Sequence, residues 1–248
     1  GMEHSGHRER LRARYAESGF EGFAPHEVLE LLLTFAIPRV NVNPLAHRLL
    51  ERFGSLPGVL EAAPEELARV EGMGPRSALL VSSLLPLLRY YERERLSPQL
   101  VLTNAFQLSA YCKSLFLGVQ NEALYVLCFD AKLGLLGAER VAAGGPADVA
   151  VAPRAVVQAL LRRHAVSAVL THNHPSGDPS PSAEDLRLTA ELERVLQALG
   201  IRLYDHVIVG SQETYSLKLH AQMPPAPAGV SPAQQLAAER PLRNGKKK

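Results

Sequence analysis

The sequence predicts an α+β chain: an all-helical first region, then a mixed β-sheet flanked by helices. Three observations predict it. Over residues 7–95, apolar side chains recur at helical spacing between Pro and Gly breaks. Over residues 100–219, short β-branched apolar runs alternate with helical stretches. Between the two, the charged run 89–99 ends in Ser97-Pro98 and reads as a linker. The expected organisation is a helical domain over 1–97, a sheet domain over 98–220 and an Ala/Pro-rich tail over 221–248. That tail cannot bury enough apolar surface to order alone.

Taken in order, residues 7–18 begin a basic amphipathic helix, and residues 25–35 a strongly apolar one with Pro25 in its first turn. Ile37-Pro38 breaks it. Residues 44–53 make the next helix, and Gly54-Ser55-Leu56-Pro57-Gly58 reads as a break. Two more helices, 64–70 and 77–95, are joined by Glu71-Gly72-Met73-Gly74-Pro75-Arg76. Leu67, Val70, Gly72, Met73, Gly74 and Ala78 fit a helix–hairpin–helix pattern. Two glycines permit a tight hairpin with exposed N–H groups. Those groups, the next helix's N-terminus and Arg76 can hold a phosphate without reading sequence. Gly72, Gly74 and Arg76 are therefore the candidate DNA contacts, although the same spacing also serves as a packing turn.

In the second half, Asn104 caps a helix to about residue 117. Residues 123–130 read as a buried strand, 131–134 as a turn and 135–142 as its return strand. Gly144-Gly145-Pro146 punctuates, 149–151 is a short strand, and Pro153 opens a helix to 164. The central strand, 166–171, runs into T-H-N-H-P-S-G-D-P-S-P-S-A-E-D, and a helix follows to Gly200. Residues 201–209 and 215–219 are the last strands.

His172 and His174 leave the central strand two residues apart, so they share a face. Two converging imidazoles are half of a metal site, and a catalytic zinc site takes three protein ligands. Asp185, in the first turn of the next helix, leans back toward the histidines and is the natural third ligand. Pro175, Pro179 and Pro181 stiffen the connection. Ser182-x-x-Asp185 also reads as a capping box, and a cap and a metal ligand are compatible. Asp178 reads as a turn former, and Arg154 as an anion contact or a solvated helix start.

A net charge of +2 names no partner. Cys112 and Cys128 give neither a disulfide framework nor zinc spacing. No apolar run is long enough to cross a bilayer or resembles a signal peptide, so a cytoplasmic location is expected.

His172-x-His174-x7-Ser182-x2-Asp185 resembles the zinc motif of the JAB/MPN (JAMM) metalloprotease superfamily. The longer string H-N-H-P-S-G-D-P-S-P-S, with Asp205-His206-Val207-Ile208-Val209-Gly210, resembles the bacterial RadC branch, historically called DNA repair protein RadC. The resemblance spans about residues 8–219 and implies a JAB/MPN-like, cytidine-deaminase-like second domain. It further implies one zinc per chain on His172, His174 and Asp185, and a zinc-activated water that cleaves peptide or isopeptide bonds. Ser182 would stabilise the oxyanion. Glu139, on the 135–142 strand, is the general base that the resemblance implies; Glu122, at a strand's start, is the other nearby candidate. His206 reads as a pocket residue that orients a ligand, or as a partly exposed strand histidine. The alternative function is an auxiliary repair or recombination factor that binds DNA through the hairpin. A scaffold with a silent metal site is the third, and the presence of all four expected site residues argues against it.

Overall fold

The computed structural model describes residues 2–97, 100, 102, 104–143 and 152–223. The expected break at 144–146, the strand at 149–151 and the tail beyond 223 lie outside the described residues.

Six helices open the chain: α1 Met2–Ser18, α2 Pro25–Ala36, α3 Asn43–Phe53, α4 Leu56–Glu61, α5 Pro64–Leu67 and α6 Pro75–Leu96. The chain divides into two compact units, Gly1–Tyr90 and Tyr91–Lys248, so the division falls inside α6, ahead of Ser97-Pro98. Helix α4 occupies what the sequence suggested was only a break. Ser55 is its N-cap, accepting the Gly58 N–H at 3.1 Å, and Pro57 sits in its first turn. Residues that punctuate a chain are also those that start helices. The first unit's core joins Leu29, Leu33, Leu45, Leu49, Val59, Leu67 and Val81. Each fully buried side chain of this kind contributes about 1.5–3 kcal/mol. The buried Glu30 carboxylate is met by His7 Nε2 at 2.8 Å and Asn43 Nδ2 at 3.1 Å.

The second unit continues with α7 Ala105–Leu115, β1 Ala123–Phe129, β2 Leu135–Ala143, α8 Ala152–Arg162, β3 Ser167–Asn173, α9 Ala183–Ala198, β4 Arg202–Val209, β5 Thr214–Ser216 and β6 Ala221–Met223. The sheet has six strands in the order β2-β1-β3-β4-β5-β6. Among the described residues only β3 and β4 run parallel, with α9 as the crossover between them. The mixed sheet flanked by helices is as expected. Two differences stand at its end. The strand expected over 215–219 is the shorter β5, and Ala221–Met223 pairs with it as β6 although those residues read as tail.

Alternation along the strands builds two cores. Leu127, Phe129, Val169 and Val207 pack with Leu108, Tyr111 and Leu115 of α7. Leu124, Val126, Cys128, Ala168 and Leu170 pack with Val156 and Leu160 of α8 and with Leu188, Leu192 and Leu196 of α9. Strand β3 is buried at all seven residues, so its C-terminal end is a fixed platform. By the period of 2, His172 continues the Ala168–Leu170 row and faces the α8/α9 layer.

Candidate metal centre

Three elements converge at the C-terminal end of β3. The strand presents His172. The loop after it presents His174, whose N–H donates to the Val209 carbonyl at 2.9 Å and so extends the β4 pairing. The first turn of α9 presents Asp185. Ser182 caps that helix: its Oγ accepts the Asp185 N–H at 3.1 Å, while Asp185 Oδ2 accepts the Ser182 N–H at 2.7 Å. The capping box therefore fixes the carboxylate that the site uses.

One nitrogen from each histidine and one oxygen of Asp185 lie within 4.8 Å of one another. His172 Nε2 is 2.9 Å from His174 Nε2 and 3.1 Å from Asp185 Oδ1. His174 Nε2 is 3.4 Å from Asp185 Oδ2. His174 turns its other nitrogen outward, 2.8 Å from the Asp178 carbonyl. A carbonyl can only accept, so Nδ1 carries the hydrogen and the neutral ring faces the cluster with a bare Nε2. Facing lone pairs and a carboxylate need a cation or a proton between them. An N, N, O donor set of this size suits zinc and leaves a coordination position for water.

Electrostatics agree. Where a proton rather than a cation fills the cluster, burial still disfavours the ionised Asp185, but hydrogen bonds from His172 and His174 and the Ser182 N–H outweigh it and hold the carboxyl far below its usual range. The Asp185 hydrogen bond raises His174, against its partial burial. Among the described residues, His172, His174 and Asp185 are the group of three or more His, Cys, Asp or Glu positioned to share an ion.

His206 lies directly behind the cluster. Its Nε2 is 2.8 Å from His172 Nδ1 and its Nδ1 is 2.7 Å from Thr189 Oγ. It is fully buried rather than partly exposed, and burial pushes it down to about 3. Asp205, its neighbour, points the other way. It accepts from Ser216 Oγ at 2.6 Å and from the His206 and Lys218 N–H groups at 2.7 and 3.0 Å.

Glu139 is not brought to the cluster. Its carboxylate receives Arg162 Nη2 and Arg163 Nε, both at 2.7 Å, and the Arg162 bond leads in lowering its pKa. Through β1 it lies level with Leu170, since Val126 pairs with both, whereas His172 lies level with Leu124 and Ala142. Glu122 is placed differently. Continuing the antiparallel register two residues past Leu124–His172 sets it level with His174, where its charge helps raise that imidazole. Asn173 fixes this end: its Oδ1 accepts the Ala123 N–H at 2.9 Å and its Nδ2 donates to the Asn121 carbonyl at 3.1 Å. Asn173 and Thr189 thus join the site beside the residues that the motif names. Thr189 had a findable signal, since it follows Asp185 by one helical turn. Arg154 is exposed on α8.

In the first unit, α5 and α6 flank a hairpin in which Gly72 has φ +94°. Gly74 does not present a free N–H there, because Ser77 Oγ accepts it at 2.9 Å. Arg76 is exposed at the start of α6. Arg48 donates from Nη2 to the Glu71 carbonyl at 3.0 Å and, with Arg52 and Arg69, lines a hollow beside the hairpin.

Comparison with known proteins bears on this geometry. A family model described as the RadC-like JAB domain matches residues 102–222. A UPF0758 protein of Ruegeria pomeroyi is 36% identical over 212 residues, covering 86% of this chain and 95% of the relative. A UPF0758 protein of Rhodobacter capsulatus is 36% identical over 208 residues, covering 84% and 97% respectively.

Proposed function

Since this chain belongs to the RadC (UPF0758) family of JAB-domain proteins, we propose that it is a zinc-dependent amidohydrolase acting on peptide or isopeptide bonds. The observation that carries this reading is the convergence of His172 Nε2, His174 Nε2 and an Asp185 oxygen within 4.8 Å. Zinc held there would supply a Lewis acid and lower the pKa of a water. The remaining work falls to side chains. Glu122, exposed at the mouth of the cluster beside His174, takes a proton from the attacking water and returns it to the leaving amine. Glu139 does not serve as base in this reading, because two guanidinium groups occupy its oxygens. Ser182 accepts a backbone hydrogen in its cap, so its own hydroxyl hydrogen remains available to an oxyanion.

The test is the metal content of the purified protein by mass spectrometry, beside a His172→Ala/His174→Ala variant, followed by an amide and isopeptide substrate screen. About one zinc per chain, lost in the variant, and turnover lost in Glu122→Gln support the reading. A folded wild-type protein that takes up no divalent metal overturns it.

A second reading concerns the first unit. Arg48, Arg52 and Arg69 outnumber Glu51 around one hollow and favour contact with a polyanion such as a DNA backbone. The internal bond at Gly74 moves the weight of that contact from the hairpin N–H groups to the arginines. The two readings concern different units and can both hold.

A further inference from the structure

Thr189, His206 and His172 form a hydrogen-bonded chain whose direction is fixed at one end. Thr189 Oγ lies 2.6 Å from the Asp185 carbonyl oxygen and 2.7 Å from His206 Nδ1. A carbonyl only accepts, and a hydroxyl has a single hydrogen to give. Thr189 therefore donates to the Asp185 carbonyl, and His206 Nδ1 must donate to Thr189. His206 is buried and its ring nitrogens bond a hydroxyl and a second imidazole rather than a carboxylate, so burial favours the neutral ring. A neutral ring with its hydrogen on Nδ1 has a bare Nε2, which must accept. Its partner, 2.8 Å away, is His172 Nδ1, which must then carry a hydrogen.

We propose that Thr189 and His206 are positioning residues that hold His172 as its Nδ1–H tautomer, with the Nε2 lone pair directed at His174 and Asp185. The chain closes on itself. It leaves the Asp185 backbone carbonyl, passes through Thr189, His206 and His172, and returns at His172 Nε2, 3.1 Å from Asp185 Oδ1. One residue thus supplies a ligand oxygen and, through its main chain, sets the protonation pattern of the opposite ligand. Partners of this kind commonly alter metal affinity by about 10–100-fold. The consequence for zinc rests on the metal-centre reading above; the tautomer does not.

The experiment reads both separately. Long-range ¹H–¹⁵N correlation spectra are recorded on metal-free wild-type protein, Thr189→Val and Thr189→Ser, and zinc affinity is measured by chelator competition. Expected in the wild type are His206 and His172 each protonated on Nδ1, with His206 Nε2 bare. Thr189→Val should lose the single-tautomer pattern at His206 and bind zinc about 10–100-fold more weakly, and Thr189→Ser should restore both. Wild-type His206 protonated on Nε2 overturns the proposal whether or not the valine variant folds. So does a folded Thr189→Val protein with unchanged tautomers and zinc affinity. Wild-type protein with the expected tautomers but no zinc uptake upholds the chain and removes the metal-centre reading instead.

Discussion

Asn173 holds Ala123 from across the sheet, accepting its N–H on Oδ1 at 2.9 Å at the edge of the histidine cluster. This side-chain bond continues the β1–β3 ladder past its last backbone pair, Leu124–His172, and so sets where Glu122 stands. Glu122→Gln should lower amide turnover by about 10²–10⁴-fold with zinc content unchanged. Glu139→Gln should leave turnover within a few-fold and instead lower the urea midpoint, because Arg162 and Arg163 lose their shared partner. Rates and metal content measured on both variants separate the roles; equal losses in rate would sink the assignment.

Zinc should stabilise the protein more at higher pH. Asp185 is depressed from its ordinary 3.8, so its contribution is present above that value and fails only as pH falls through the folded value. His174 is raised from 6.5, so its contribution in metal-free protein is full below 6.5 and is lost as pH rises through the folded value. Zinc needs His174 Nε2 bare, so protons compete with it over that same window. Melting curves at about pH 6 and about pH 8, with and without zinc, should show a larger zinc increment at the higher pH. At about 100-fold over Kd that increment approaches ~2.7 kcal/mol.

Ser182→Ala removes the cap of α9 and the acceptor for the Asp185 N–H. A loss of about 1 kcal/mol in urea denaturation is expected. Turnover should fall further than zinc affinity if the hydroxyl also meets the oxyanion; a parallel fall in both would confine Ser182 to capping.

Gly210 has no room for a side chain. A Cβ there would lie 2.4 Å from the Gly177 carbonyl oxygen, in the loop that carries His174. Gly210→Ala should cost about 1–3 kcal/mol, read by denaturation, and weaken zinc binding by shifting His174. Unchanged zinc affinity would show that the loop absorbs the displacement elsewhere.

Arg52→Glu with Arg69→Glu should weaken binding to double-stranded DNA of any sequence and flatten its salt dependence. Each phosphate contact removed should reduce the log–log salt slope by about 0.9, measured by fluorescence anisotropy. Gly72→Val should act indirectly, since it forces a β-branched side chain into φ +94° and against Arg48. An unchanged salt slope in the double variant would discard the polyanion reading.

The sequence by itself determined the local features. Spacing put His172 and His174 on one face, Ser182 and Asp185 in one helical turn, and the turn residues where the chain turns, because these follow from backbone periods of two and 3.6. It also gave the helical first unit and the mixed sheet. It did not give the partner across the sheet. Two bulges decide which side chains meet. In β4, Ala168 pairs with Leu203 but Val169 with Asp205, so Tyr204 is extra; the shift turns His206 toward the cluster and Asp205 toward Ser216. In β2, Leu124 pairs with Ala142 but Tyr125 with Arg140, so Val141 is extra, and Glu139 comes to face Arg162 and Arg163. A one-residue slip exchanges the faces of everything beyond it. Glu139 and Glu122 read as competing bases because both sit on or beside the right strand. Only the folded sheet, with Asn173 holding its end, puts Glu122 beside His174 and Glu139 against Arg162 and Arg163: long-range register is set by packing between segments far apart in the chain, which no local pattern encodes.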